Sequence, residues 1–317
     1  MKHPVALCLS AALIVAPIVT LGGCSSTPPT AIQDSARDAA LASGERRVST
    51  PAGTLQVRET GRGATPLLLW HAIYADPSMF EALIDRLSPD YRMLVVSAPG
   101  HAGSGLPAGP LTSALAGAAV LAVLDAHGID RAAVVGCSWG SIAGLQAALQ
   151  SPDRITAVAA FNTPFGPGTS DLSTRAIVWL TGWMGDTAFF GRRVASGFFA
   201  QSIKERQPAV VDRFVAAFHG RDTRALQSAA RAVLIERESL LPQLSRLRVP
   251  VVVVSGAEDP LYPAAEAQAI ARNIPKARFV LAADSAHLTP LEQPALAETL
   301  VRELVPPSPR DRPGQPR

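Results

Sequence analysis

The run Val249-Pro250-Val251-Val252-Val253-Val254-Ser255 is apolar at consecutive positions, where a strand with one face in water would alternate. A strand of this kind must be buried on both faces. Pro66 to His71, Tyr91 to Ser97, Ala132 to Gly136, Ile155 to Phe161 and Ala277 to Leu281 read the same way. Between these runs lie helical stretches: Leu111 to His127, stopped by Gly128; Trp139 to Gln150, stopped before Pro152; Pro263 to Asn273; and Pro290 to Leu304. Buried strands alternating with helices imply a parallel sheet covered on both faces and joined by right-handed crossovers. Ahead of them, Arg46 to Thr50 and Leu55 to Thr60 read as a hairpin around Pro51-Ala52-Gly53. The predicted fold is α/β, a doubly wound and mostly parallel sheet, whose ligands sit beyond the carboxyl ends of its strands.

One segment breaks the alternation. Residues 166–244 contain no strand signal, only helical stretches such as Leu172 to Trp183 and Ala209 to Ala217. The segment holds Trp179, Trp183, Phe189, Phe190, Phe198, Phe199, Phe214 and Phe218, eight of the chain's fourteen Phe and Trp residues. It is predicted to be a helical cap inserted between two strands, its rings divided between its own packing and an apolar underside. The core is then expected over 44–165 and 245–305.

The ends read differently. Lys2 is followed by an apolar run from Val5 to Leu21, broken by Pro17 and too short for a comfortable membrane span. The run ends in Leu21-Gly22-Gly23-Cys24, which resembles a bacterial lipobox. The alternative is an ordinary secretory signal with an incidental cysteine. The resemblance implies a lipoprotein signal peptide over 1–23, lipidation of Cys24, and a Ser/Thr/Pro/Ala-rich tether over 24–43. Ser25 after the cysteine, rather than Asp, points to the periplasmic face of the outer membrane in a bacterial envelope. Of three cysteines, Cys8 falls in the signal and Cys24 carries lipid, so Cys137 has no disulfide partner. Residues 306–317, rich in Pro and Arg, are expected to be disordered. The net charge of +3 is spread without a basic stripe or interleaved aromatics, which argues against nucleic acid as a partner.

The chemistry centres on Val134-Val135-Gly136-Cys137-Ser138-Trp139-Gly140, a strand running through Gly-x-Ser-x-Gly into a helix. A serine on so sharp a turn is strained, and the chain passes close to itself two positions either side, where only glycine fits. The helix start adds its positive dipole end where an oxyanion would form. The spacing centres the turn on Ser138 rather than Cys137, and Ser141 reads as structural. A serine hydroxyl needs a base to take its proton, and the base needs a carboxylate to orient it. In this architecture the order is Ser, acid, His. Asp259, in Gly256-Ala257-Glu258-Asp259-Pro260, follows the valine strand, and His287, in Asp284-Ser285-Ala286-His287-Leu288, follows the next. Asp259 is preferred over Glu258 and Asp284. Another place for the acid, after Phe161, reads Asn162-Thr163-Pro164 and offers no carboxylate. His3, His71, His101, His127 and His219 follow no late strand and are not assigned as the base. The Trp139 amide is one expected oxyanion donor.

With these residues in place, 46–304 resembles the α/β-hydrolase fold superfamily in its cap-bearing form. Ala98-Pro99-Gly100-His101-Ala102-Gly103-Ser104 is similar to the family's Pro-Gly-His-Gly-x-Ser turn, and Ser285-Ala286-His287 to its late Gly-His. Trp70-His71-Ala72-Ile73 is similar to its His-Gly-x loop, with Ala72 where the family has Gly. That similarity implies Ile73 as the second oxyanion donor.

The resemblance implies a serine hydrolase acting on a small-molecule ester or related acyl substrate, with Ser138, Asp259 and His287 as its triad and no metal or cofactor. Acyl transfer, C–C hydrolysis and lactone opening are same-fold alternatives. Serine at the elbow argues against the epoxide hydrolase and haloalkane dehalogenase pattern, which has Asp there. A non-catalytic lipoprotein that binds an apolar ligand is the reading from a different class.

Overall fold

The computed structural model describes residues 44–308. The predicted signal peptide, Cys24 and the tether lie outside the described residues, as does the tail beyond Ser308. At the tail's start, the Ser308 amide donates to Thr65 Oγ1 at 2.9 Å.

Eight strands form one sheet: β1 Glu45–Thr50, β2 Gly53–Thr60, β3 Thr65–Trp70, β4 Tyr91–Val96, β5 Ala132–Cys137, β6 Ile155–Phe161, β7 Val251–Gly256 and β8 Ala277–Ala282. Their order is β1-β2-β4-β3-β5-β6-β7-β8. β1 and β2 pair antiparallel through the tight Pro51-Ala52 turn, and β2 pairs antiparallel with β4. All the other pairings are parallel. The continuous apolar runs explain the burial: every residue of β5 and β7 is buried. Each such valine contributes roughly 1.5–3 kcal/mol relative to leaving it in water. β8 closes the sheet as an edge strand and is only half buried.

Helices cover both faces: α1 Glu81–Leu87, α2 Ser113–Ala126, α3 Trp139–Gln150, α9 Ala264–Ala271, α10 Thr289–Glu292 and α11 Pro294–Leu304. α2 starts where Thr112 Oγ1 accepts the Leu115 amide, and it stops at Gly128 with φ +62°. The predicted helix Pro290 to Leu304 is two helices, because Pro294 cannot donate to the preceding turn and opens a new one.

Between β6 and β7 the chain inserts five helices: α4 Leu172–Met184, α5 Ala188–Phe198, α6 Gln201–Arg206, α7 Pro208–Ala216 and α8 Thr223–Leu234. Asp171, Thr187 and Asp222 cap α4, α5 and α8 by accepting first-turn amides. Phe190, Phe198, Phe199, Phe214 and Phe218 form its buried centre, with neighbouring rings 5.2–6.2 Å apart. Trp179, Trp183 and Phe189 are exposed instead.

The insertion leaves and rejoins the core at one place. Gly168 N donates to Arg237 O and Thr169 N to Leu234 O, both at 2.8 Å, and Leu240 N donates to Phe165 O at 2.9 Å.

Candidate active site

The strand order reverses between β3 and β5, so the chain after β3 and the chain after β5 part at the same crevice. Trp70 pairs with Gly136 in register, which sets the loop of residues 71–76 beside Ser138. Because β3, β5, β6, β7 and β8 run parallel, Asn162, Asp259 and His287, which follow β6, β7 and β8, come to the same edge.

Ser138 sits at φ +51°, ψ −111°, a left-handed conformation for a residue with a side chain. Two close approaches impose it. A Cβ on Gly140 would lie 1.8 Å from Trp70 O, and one on Gly136 would lie 2.3 Å from the Gly140 carbonyl. Only glycine fits either position. Ser138 N donates to Phe161 O at 2.8 Å, and the Ser141 hydroxyl lies 2.8 Å from Gly136 O and 2.9 Å from Phe161 O. Ser141 therefore holds the turn. Cys137 is buried, its Sγ 3.5 Å from His287 O, and burial pushes its thiol up, away from the reactive thiolate. Trp139 is the first residue of α3, its indole buried.

The His287 Nδ1 lies 2.9 Å from Asp259 Oδ2, with side chains 1% and 0% exposed. Asp259 Oδ1 accepts the amides of Leu261 at 2.9 Å and Tyr262 at 3.2 Å, which fixes the carboxylate on its own turn. A carboxylate oxygen accepts, so Nδ1–H of His287 is the donor of this bond, and Nε2 is the ring nitrogen left for another partner. The rings of Phe198 and Tyr262 pack on the imidazole with centroids 4.9 and 5.5 Å away. Burial pushes the Tyr262 phenol up, while the Arg237 guanidinium beside it pulls the other way.

Two residues that were not read as functional from the sequence hold this pair. Asn162, buried and at φ +51°, donates from Nδ2 to Asp259 Oδ2 at 3.1 Å and to Ala286 O at 2.7 Å. Its Oδ1 accepts from Thr289 Oγ1 at 2.8 Å. Glu292 is buried beneath the His287 turn and accepts the amides of Ala286 at 3.1 Å and Leu288 at 3.0 Å. It also accepts the Ala200 amide of the insertion at 2.9 Å. Burial pushes the Glu292 carboxyl above the usual range, against these amide donors. Glu258 is exposed and accepts the Gln201 amide, while Asp284 faces Arg206 at 3.8 Å. Neither reaches the imidazole.

The loop after β3 is clipped from two sides. His71 Nδ1 bonds Ala72 O at 2.8 Å, and its Nε2 accepts the Ala98 amide at 2.9 Å. His101 Nδ1 bonds Pro99 O at 3.0 Å, and its Nε2 accepts the Tyr74 amide at 3.3 Å. Both rings are therefore neutral Nδ1–H tautomers, and burial holds both well below the ordinary histidine range. The Tyr74 amide is committed to His101 and the Ala75 amide to Ala72 O, while Ile73, the donor that the family resemblance implies, lines the same cavity as Ser138. From the insertion, Arg221 donates to Tyr74 O at 2.6 Å and to Asp76 Oδ2 at 3.1 Å.

Ser138, His287 and Ile73 line one cavity of about 750 Å³, a size suited to a small organic molecule. Its walls come from the insertion (Ile177, Val194, Phe198, Val233) and from the segment after Asp259 (Leu261, Tyr262, Ile270). Of the eight Phe and Trp residues of the insertion, Phe198 alone lines it; Phe199, Phe214 and Phe218 pack the insertion itself, and Phe190 also packs edge-on against Tyr74 of the loop after β3.

Residues 65–294 match the family described as alpha/beta hydrolase fold. The 3-oxoadipate enol-lactonase 2 of Acinetobacter baylyi is 26% identical over 235 residues, covering 74% of this chain and 86% of its own. The pimeloyl-[acyl-carrier protein] methyl ester esterase of Edwardsiella ictaluri is 26% identical over 253 residues, covering 74% and 90%. Among solved structures, the enol-lactonase of Burkholderia xenovorans superposes with a TM-score of 0.74 at 25% identity, covering 82% of this chain and 99% of its own. With most of its length matched by that family, its sheet order and its elbow in place, the chain belongs to the α/β-hydrolase fold family.

Proposed function

We propose that the protein hydrolyses carboxylic esters or lactones through an acyl-enzyme on Ser138. The observation that carries this reading is the buried His287–Asp259 pair, 2.9 Å apart, opening on the same cavity as the strained Ser138. Relatives named as an enol-lactonase and a methyl ester esterase support an acyl C–O bond as the target.

In this reading Ser138 Oγ attacks the carbonyl carbon while His287 Nε2 takes its proton. Asp259 holds the imidazole in the tautomer that frees Nε2 and stabilises the imidazolium. The amides of Trp139 and Ile73 donate to the oxyanion. The imidazolium then protonates the leaving alkoxide, and the acyl group stays on Ser138. Water, deprotonated by the same imidazole, attacks the acyl-enzyme; the bond to Ser138 Oγ breaks, the imidazolium returns the proton to Oγ, and the acid leaves. Burial of the pair excludes competing water from the charged intermediates.

The test is turnover of short p-nitrophenyl esters together with labelling by a fluorophosphonate. Ser138→Ala is expected to lose both. Labelling that persists in that variant would overturn the assignment.

We further propose that residues 1–23 are a lipoprotein signal and that acylated Cys24 tethers the enzyme to the outer membrane, on the strength of Leu21-Gly22-Gly23-Cys24. Incorporation of labelled palmitate into the expressed full chain, lost in Cys24→Ala, tests it. Equal incorporation in both, or none in either, rejects it.

A further inference from the structure

The cavity holds one buried charge that the proposed reaction does not use. Among the charged residues of its lining outside the imidazole, Asp171 and Glu266 are exposed and Arg193 is half-buried, while Arg237 is 6% exposed. Asp171 is occupied in capping α4, and Arg193 donates to Ser196 Oγ. A guanidinium taken out of water ordinarily faces a carboxylate, because an unpaired buried charge is costly. Among the described residues, no Asp or Glu forms an ion pair with Arg237.

What Arg237 has instead are backbone carbonyls. Nε donates to Gly166 O and Nη2 to Pro167 O, both at 3.1 Å, and Nη1 donates to Val233 O. These acceptors come from the two chain segments where the insertion leaves and rejoins the core. They fix the guanidinium plane without neutralising its charge. A guanidinium has five N–H donors, so three bonds to carbonyls leave donors on Nη1 and Nη2. The residue that connects this cation to the catalytic edge is Tyr262. Its ring packs on His287 at 5.5 Å, and its phenol lies beside the Arg237 guanidinium. A ligand reaching from Ser138 along Tyr262 would meet a positively charged group whose plane is already fixed and which still has N–H to offer a carboxylate.

We infer that Arg237 and the Tyr262 hydroxyl form a carboxylate-binding subsite, so that the substrate is an ester or lactone bearing a second, free carboxylate away from the bond cleaved. The inference rests on the acyl-hydrolase reading for its chemistry and adds the charge of the substrate. Carboxylate binding completes the partner set of a cation that the fold has already ordered, so little further ordering is required on binding.

The experiment compares monomethyl with dimethyl esters of succinate, adipate and suberate, which differ in charge and spacer. For the wild type, kcat/KM is expected to favour the half-ester at least tenfold for one spacer length. Arg237→Gln should lower that ratio at least tenfold, mainly through KM of the half-ester. Tyr262→Phe, which leaves every backbone bond of Arg237 in place, should lower it about threefold. A general defect from loosening the base of the insertion would reduce both esters together and leave the ratio where it was. A wild-type ratio at or below one for all three spacers, or an unchanged ratio in both variants, overturns the subsite. Calorimetric binding of the same compounds to Ser138→Ala separates the two readings. Tighter binding of a half-ester with no turnover in the wild type rejects the hydrolase and keeps the subsite. Equal binding of both, with turnover, does the reverse.

Discussion

Asn162 Nδ2 lies 3.1 Å from Asp259 Oδ2, the same oxygen that receives the His287 Nδ1–H. The amide thus shares the acid's inner oxygen with the imidazole, and its second N–H bond, to Ala286 O, ties it to the turn that carries the histidine. In the proposed reaction Asn162 is a positioning residue. Asn162→Gly tolerates the positive φ but removes every side-chain bond. We expect kcat to fall roughly 10–100-fold with KM nearly unchanged. Steady-state kinetics on a p-nitrophenyl ester checks this, and a KM effect without a kcat effect would contradict it.

Asp259→Asn keeps the size of the acid but places an amide where the carboxylate holds the Nδ1–H tautomer. In the proposed reaction the ring is then no longer held with Nε2 as acceptor for the Ser138 proton. kcat should fall roughly 10,000-fold while the thermal midpoint moves by only a few degrees. Fluorophosphonate labelling rates should follow kcat.

Gly140→Ala introduces a methyl 1.8 Å from the Trp70 carbonyl oxygen, in a stretch where both chains are buried backbone. Neither can yield without breaking the β3–β5 register. The expected cost is about 3 kcal/mol or more. Urea unfolding measures it; a loss under 1 kcal/mol would mean that the elbow is looser than its geometry.

The two neutral histidines give the fold an acid limit. His71 and His101 are held below the value of 6.5 they have in the unfolded chain. The unfolded chain therefore takes up protons that the folded one refuses. Their contribution is complete above about pH 6.5 and is lost as pH falls below it, by up to about 1.4 kcal/mol per pH unit for each. Urea midpoints at pH 7.5 and 5.0 should differ in that direction. The slope should flatten in His101→Gln, whose amide nitrogen cannot replace the Nε2 acceptor but carries no titration.

Much of this architecture is legible in the chain itself, for reasons that differ by residue. The β5 and β7 runs are apolar on consecutive positions because both faces are covered, and Ser138 is framed by glycines because backbone passes within contact distance. Such signals are local. Asp259 and His287 are readable from chain order and from the strands ahead of them.

Other features depend on contacts distant in sequence. α1 is seven residues long, too short for its period to stand out. In the sequence Asn162 marks only a place that lacks a carboxylate, and its amide becomes meaningful once β6 and β7 lie side by side. Glu292, on a short helix, and Arg237, in the loop after α8, look like surface charges, and nothing in their neighbours predicts their burial. The aromatic content of the insertion was visible, but its division was not: rings that pack helix on helix and the one that reaches the cavity carry the same composition.

The insertion is fastened at its middle as well as at its base. Glu292 grips Ala200, the His287 amide holds Phe198 O, and Glu258 takes the Gln201 amide. The stretch 198–201 therefore works as a pin through the lid, seated on the very turn that carries the imidazole. Lifting the insertion bodily would drag the imidazole with it, so the shape of the chamber and the setting of His287 are mechanically coupled.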